Sequence, residues 1–208
     1  MVDSIKVKIN AIFFDIGGVL LHIYPNRMIQ YISDATDISP AVLKKYFPSD
    51  VHEHYERGQI SDDEWFAAFK AALPQPNCLK EIDFWRAWNQ LLGQETDVVD
   101  IVIELKQNYP VWLLSNTNSR HIRNEIDGKY AFSQLADGTV YSFETGYRKP
   151  EKEIFKIAAG KAGADPSTCL LIDDNEKNVA GSESVGFVAL HYRNTTQLEQ
   201  NLESLGVI

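Results

Sequence analysis

Four short polar clusters in this 208-residue chain hold side chains suited to phosphoryl transfer. The first lies in the run Phe13-Phe14-Asp15-Ile16-Gly17-Gly18-Val19-Leu20, where an apolar stretch stops at a carboxylate and two glycines follow. An acid at the tip of a buried strand can serve as nucleophile or metal ligand, and glycines let backbone N–H groups approach a phosphate closely. The plainer alternative for Asp15 is an Asx turn closing the strand. The second cluster, Ser115-Asn116-Thr117-Asn118, offers hydroxyl and amide donors. Ser115 and the Asn116 N–H either hold a phosphoryl oxygen or belong to a loop and helix cap. The third, Tyr147-Arg148-Lys149-Pro150, sets a lysine before a proline-started helix. Lys149 either enters a cleft, offsetting charge on Asp15 and a phosphate, or is a solvated surface residue. The fourth is Asp173-Asp174-Asn175. Adjacent carboxylates beyond a buried strand oppose each other's ionisation, and a hard, oxygen-ligated cation such as Mg²⁺ removes that conflict.

These clusters need a scaffold that brings distant stretches to one edge. Apolar, strand-like runs occur at residues 9–14, 111–114, 169–172 and 187–192, with helical patterns between most of them. A weaker extended segment at residues 138–143 follows the turn signal Asp137-Gly138. Strands alternating with helices predict an α/β fold, a parallel sheet flanked by helices and buried on both faces. In such sheets ligands bind beyond the carboxyl ends of the strands. The interval between the first two strands is far longer than one crossover helix needs. It reads as a helical insert over residues 24–95, leaving residues 1–23 and 96–208 as the core. Ser61-Asp62-Asp63-Glu64 has the form of a capping box, and Trp65, Phe66 and Phe69 follow at helical spacing. A second apolar stripe, Phe84, Trp85, Trp88, Leu91 and Leu92, ends near Gly93. No strand is expected in this interval, and its aromatics read as packing rather than as a ligand cage.

A formal charge of −9 argues against nucleic acid as a partner, because that binding rests on Lys and Arg neutralising phosphates. The N-terminus lacks the apolar region of a signal peptide, and no run reaches membrane-spanning length. A cytoplasmic location, no membrane partner and a small phosphorylated substrate are therefore expected, with oligomeric state left open. Cys78 and Cys169 form no metal-like cluster.

In their order, the clusters resemble the four motifs of the haloacid dehalogenase superfamily: Asp15, Ser115, Lys149 and Asp173-Asp174. The resemblance extends over nearly the whole chain and implies a Rossmann-like core with the insert as a C1-type cap. It implies that Asp15 is a nucleophile forming a phosphoaspartate. It further implies Mg²⁺ held by Asp15, the Gly17 carbonyl and Asp174, with Asp173 in support. The phosphate would be held by Gly17, Gly18, Ser115, Asn116 and Lys149. Substrate choice would fall to cap residues, for which His52, His54, Tyr55, Trp88 and Asn89 are candidates, each equally able to be a packing or surface residue.

One position departs from that pattern. Phosphatases of the family usually carry a second Asp two residues after the nucleophile, as acid toward the leaving alcohol and then base toward water. Here it is Gly17. Losing a general acid typically costs ~10²–10⁴ in rate. His22 is the nearest titratable substitute, though it also fits a plain surface histidine. Alternatively the leaving group needs little protonation, as in sugar-1-phosphates, acyl phosphates and aryl phosphates. A bacterial branch that includes α-D-glucose-1-phosphate phosphatases resembles this chain in having Gly there. It also has look-alikes of Glu56-Arg57-Gly58-Gln59-Ile60-Ser61-Asp62 and Arg148-Lys149-Pro150. A sugar-1-phosphate is accordingly the lead substrate. The rivals are a catalytically weak phosphate-binding or regulatory protein and a metal-independent 2-haloacid dehalogenase. Paired carboxylates at 173 and 174 count against the latter.

Overall fold

The computed structural model describes residues 8–208. Residues 1–7, assigned to the core from sequence, lie outside the described residues. Five parallel strands form the central sheet: β1 (Ala11–Phe14), β4 (Val111–Ser115), β5 (Gly138–Tyr141), β6 (Cys169–Asp173) and β7 (Val188–His191). Their order across the sheet is β5-β4-β1-β6-β7. Side chains alternate between faces along each strand. Ile12 and Phe14 thus join Leu113, Leu170 and Ile172 in one core. Ala11 and Phe13 join Leu114, Leu171 and Phe155 in another on the opposite face. All four residues of β1 are buried, which is why its sequence is apolar without alternation. The α/β parallel architecture expected from the strand–helix alternation is the one observed.

From β1 the chain works outward to β4 and β5, then crosses to β6 and β7 on the other side. Connections therefore diverge between β1 and β6, and such a switch point opens a crevice at the carboxyl ends of the strands. Asp15 and Asp173-Asp174 both emerge there.

Residues 24–91, between β1 and β4, carry five helices: α1 (Pro25–Thr36), α2 (Pro40–Lys45), α3 (Ser49–Glu56), α4 (Asp62–Ala72) and α5 (Glu81–Asn89). They pack on their own hydrophobic cluster, with Met28, Ile32, Trp65, Phe69, Phe84 and Trp88 at its centre. Helix α4 starts at the capping box read from the sequence. Ser61 Oγ accepts from the Glu64 N–H, and Glu64 Oε2 accepts from the Ser61 N–H. The expectation of a strand-free interval needs correction. β2 (Leu21–Ile23) and β3 (Leu92–Glu95) pair antiparallel at the two ends of this helical layer. The segments are short, and Leu92-Gly93-Gln94-Glu95 lacks β-branched residues, so pairing rather than propensity makes them strands. Helix α5 accordingly stops at Asn89, before Leu91 and Leu92.

Candidate active site at the switch point

The nucleophile candidate is held by a buried lysine. The Lys149 side chain is fully buried. Its Nζ donates to Asp173 Oδ2 at 2.6 Å and the Leu114 carbonyl at 2.8 Å, and sits 2.9 Å from Asp15 Oδ1. An ammonium has three donors, and here each has its acceptor. Burial alone would lower the Lys149 pKa, but Asp15 and Asp173 outweigh it and hold it above the ordinary lysine value. The surface-lysine alternative therefore falls. Asn116 braces this lysine from below. Its Nδ2 donates to the Lys149 carbonyl at 2.9 Å, and its Oδ1 accepts from the Lys149 N–H at 2.8 Å.

Asp15 is 9 % exposed. Its Oδ1 also accepts from the Ile16 N–H at 2.7 Å. One carboxylate oxygen is thus tethered twice, which leaves Oδ2 to face outward. Burial pushes the Asp15 carboxyl up to about 7, against the pull of Lys149 and with the push of Asp173. Asp173 is wholly buried. Its Oδ1 accepts from the Asn175 N–H and from Asn178 Nδ2, both at 2.9 Å, and its Oδ2 from Lys149. Both its oxygens are occupied, so it orients the lysine. Asp174 is the exposed member, its carboxyl raised by partial burial and by Asp173.

Oxygens of Asp15, Asp173 and Asp174 lie within 4.8 Å of one another. Three carboxylates against one ammonium leave a net negative site built of hard oxygen donors, a set that fits Mg²⁺. Gly18 makes room for it. At φ +82°, a Cβ there would lie 2.2 Å from Asp174 Oδ2. Gly17 is different: its backbone lies outside the left-handed region, and a Cβ would meet Ile23 Cγ1 at 3.2 Å.

Asp15, Gly17, Gly18, Ser115, Asn116 and Asp174 line one open cleft, with His22 on its rim. Gly17, Ser115 and Asn116 also line a second space of about 500 Å³, between the sheet edge and the helical layer. Of the five substrate-contact candidates, His52 and Trp88 face this cavity. His54, Tyr55 and Asn89 do not line it. On α3 the cavity side is the i, i+4 pair His52 and Glu56, so His54 turns outward to Gln59. Tyr55 is buried against Trp65 and donates to Asp62 at 2.7 Å. Asn89 donates to Glu125 at 2.8 Å.

Three site neighbours escape the sequence reading. His121 opens a π-helical turn (His121–Ile126) and stacks on Trp88 at 5.4 Å. Its ring nitrogens meet Asn118 Nδ2 and the Trp88 carbonyl, each at 3.3 Å, and burial lowers its pKa to about 4. Glu56 lies in the cavity wall, and Arg148 joins the lysine segment to α3 through Glu53 at 3.0 Å and Glu56 at 2.7 Å. Partners so distant in sequence leave no local signal. Two more ion pairs bridge the same faces, Arg57 with Glu151 and Arg120 with Asp62. Among the described residues no helix is long and apolar enough to cross a membrane.

Known proteins resemble this chain over most of its length. The haloacid dehalogenase-like hydrolase family matches residues 9–186. A D-ribitol-5-phosphate phosphatase of Bacteroides thetaiotaomicron is 27% identical over 204 residues, covering 93% of this chain and 97% of its own. A haloacid dehalogenase family enzyme of the same organism superposes with TM-score 0.82 at 23% identity, over 94% of this chain and 98% of that one. Its complex with magnesium and inorganic phosphate superposes with TM-score 0.69 at 24% identity, over 89% and 95%.

Proposed function

From a chain that belongs to the haloacid dehalogenase-like hydrolases, in their phosphatase-like branch, we propose a Mg²⁺-dependent phosphatase of small phosphorylated metabolites that works through a phosphoaspartate on Asp15. The observation that carries this reading is the tethered Asp15: Oδ1 is bound by Lys149 and the Ile16 N–H, and Oδ2 faces the cleft. Oδ2 attacks phosphorus, forming a P–O bond to Asp15 as the bond to the leaving oxygen breaks. Ser115 and the Asn116 N–H donate to the phosphoryl oxygens. Lys149 keeps its proton and offsets charge on Asp15. Water then attacks phosphorus of the acyl phosphate, releasing inorganic phosphate and returning the carboxylate. Asp15, the Gly17 carbonyl and Asp174 would hold Mg²⁺, which when bound neutralises charge on the phosphoryl oxygens. Asp173 supports through Lys149 rather than as a ligand.

With Gly at position 17, the leaving oxygen takes its proton from solvent or from His22 at the cleft rim. A leaving group of low basicity suits that arrangement; a sugar-1-phosphate, the lead from the sequence, meets this one criterion, as acyl and aryl phosphates do. The helical layer serves as the cap, spanning residues 24–95 over a core of residues 1–23 and 96–208, and the setting is cytoplasmic. A relative that acts on D-ribitol-5-phosphate supports the class of small phosphate esters. The test is p-nitrophenyl phosphate hydrolysis with Mg²⁺ and with EDTA, in the native chain and in Asp15→Asn. Metal-dependent turnover abolished in the variant is expected. Equal turnover in both proteins would reject the mechanism.

A further inference from the structure

The cavity beside the cleft carries information about the leaving group, and the inference rests on the phosphatase reading above. Gly17, Ser115 and Asn116 line both spaces, so a phosphate at Asp15 would project its ester oxygen toward the 500 Å³ cavity. That volume is of the size that encloses a small organic ligand. Away from the phosphate end most of its wall is hydrocarbon, with Ile23, Met28, Ile29, Phe47, Trp88 and Leu92 the main contributors.

Several polar groups in that wall are engaged with the protein, while the Trp88 indole N–H is buried without a partner and offers the space one donor. Asn118 accepts from the His121 N–H at 2.9 Å and donates to its ring. The other ring nitrogen of His121 meets the Trp88 carbonyl. Lys44 donates to Asn26 at 2.8 Å, and Glu56 is paired with Arg148. A polyol entering this space gives up water for walls with few free partners, and each hydroxyl left unpaired costs about tenfold or more in affinity. For a second anionic group the wall offers one cation, Lys44, beside the Arg148-paired Glu56, while His52 and His121 are both held toward the neutral form by burial.

We propose that the substrate is a phosphate monoester of an apolar alcohol or phenol, ring-bearing or branched, whose hydrocarbon fills the cavity under α1, α3 and α5. Aryl esters satisfy both this wall and the missing acid at position 17. A sugar satisfies only the second.

The test is kcat/KM on the intact protein with Mg²⁺. The substrates are straight-chain alkyl phosphates from ethyl to hexyl, 2-phenylethyl phosphate, glycerol-3-phosphate and D-ribitol-5-phosphate, with p-nitrophenyl phosphate as the check on chemistry. The primary alkyl leaving groups are of similar basicity, so differences report the cavity. Each added methylene is expected to raise kcat/KM about fourfold, roughly two-hundredfold from ethyl to hexyl. Each polyol phosphate should fall at least tenfold below the alkyl ester of equal chain length. Leu92→Gln and Ile23→Thr, both half-buried in the ribbon, should each cut the hexyl-to-ethyl ratio at least fivefold. A flat chain-length series, or preference for a polyol phosphate, in a protein that hydrolyses p-nitrophenyl phosphate overturns the proposal and leaves the phosphatase reading standing. Failure to hydrolyse any ester overturns both.

Discussion

Restoring the acid at position 17 is the sharpest test of the site. In Gly17→Asp the new Cβ lands 3.2 Å from Ile23 Cγ1 and 3.5 Å from its Cδ1, with no other heavy atom near. The backbone there is not left-handed, so an L side chain brings no φ strain, and half-buried Ile23 has only to give by a few tenths of an ångström. The added carboxyl joins Asp15, Asp173 and Asp174, and like charges raise its pKa toward the protonated form a general acid needs. A well-placed acid contributes ~10²–10⁴ in rate, roughly 3–5 kcal/mol of barrier. Discounting for an unrefined position, kcat/KM for 2-phenylethyl phosphate should rise at least about tenfold. For p-nitrophenyl phosphate, whose leaving group hardly needs a proton, it should change by less than about threefold. Gly17→Asn is the control, matching the bulk without the acid. If Gly17→Asp is no faster than Gly17→Asn on the alkyl ester while both keep aryl activity, protonation of the leaving group does not limit this enzyme. The case for an undemanding leaving group then collapses, and His22→Gln becomes the variant to assay.

Three further outcomes follow from the same geometry. Gly18→Ala places a Cβ 2.2 Å from Asp174 Oδ2 at φ +82°, so it should weaken Mg²⁺ dependence of turnover by at least about tenfold and lower Tm, read by metal titration and calorimetry. Lowering pH should destabilise the fold through His121. Its pKa falls from 6.5 to about 4 on burial, so the unfolded chain takes up the proton first. Stability is intact above pH 6.5 and declines by up to about 3 kcal/mol as pH drops toward 4. Urea titrations should show that decline reduced in His121→Gln. Ser61→Ala removes the acceptor for the Glu64 N–H at the start of α4 and should cost about 1 kcal/mol in urea unfolding, with kcat/KM unchanged.

The parts of this molecule legible in the sequence are those set by burial and strand ends. β1, β4 and β6 are apolar runs because both faces of the sheet are covered, and Asp15, Ser115 and Asp173 mark where each run ends. Lys149 is legible only in company with Asp15 and Asp173, since a lysine before a proline is ordinary when read alone. The capping box at Ser61 and Glu64 is a local motif and was fully specified by its four residues. What could not be read depends on contacts across long stretches of chain. The β2–β3 ribbon exists through its pairing, not its composition. Arg148 meets Glu53 and Glu56 from the far side of the sequence, and His121 finds Trp88 the same way. Which side of α3 faces the substrate also depends on how the helix lies on the sheet. For that reason the adjacent pair His54 and Tyr55 were as plausible as His52 until the fold was known.

The β2–β3 ribbon has an evolutionary consequence. Leu21 pairs with Glu95 and Ile23 with Leu92, so the chain leaves the sheet and returns to it at one point. Seen from the five-stranded sheet, the five helices are the loop of one very long hairpin. Closing such a loop grows costlier only with the logarithm of its length, about 0.6 kcal/mol per doubling. Segments of other lengths can be exchanged there without shifting the register of Asp15 against Asp173 or the reach of Lys149. Ile23 and Leu92 would stay behind in any such exchange, because they belong to the ribbon and to the cavity wall at once. Under the proposed cavity role, selectivity would be divided between a replaceable part and a retained one, and the retained part is hydrocarbon.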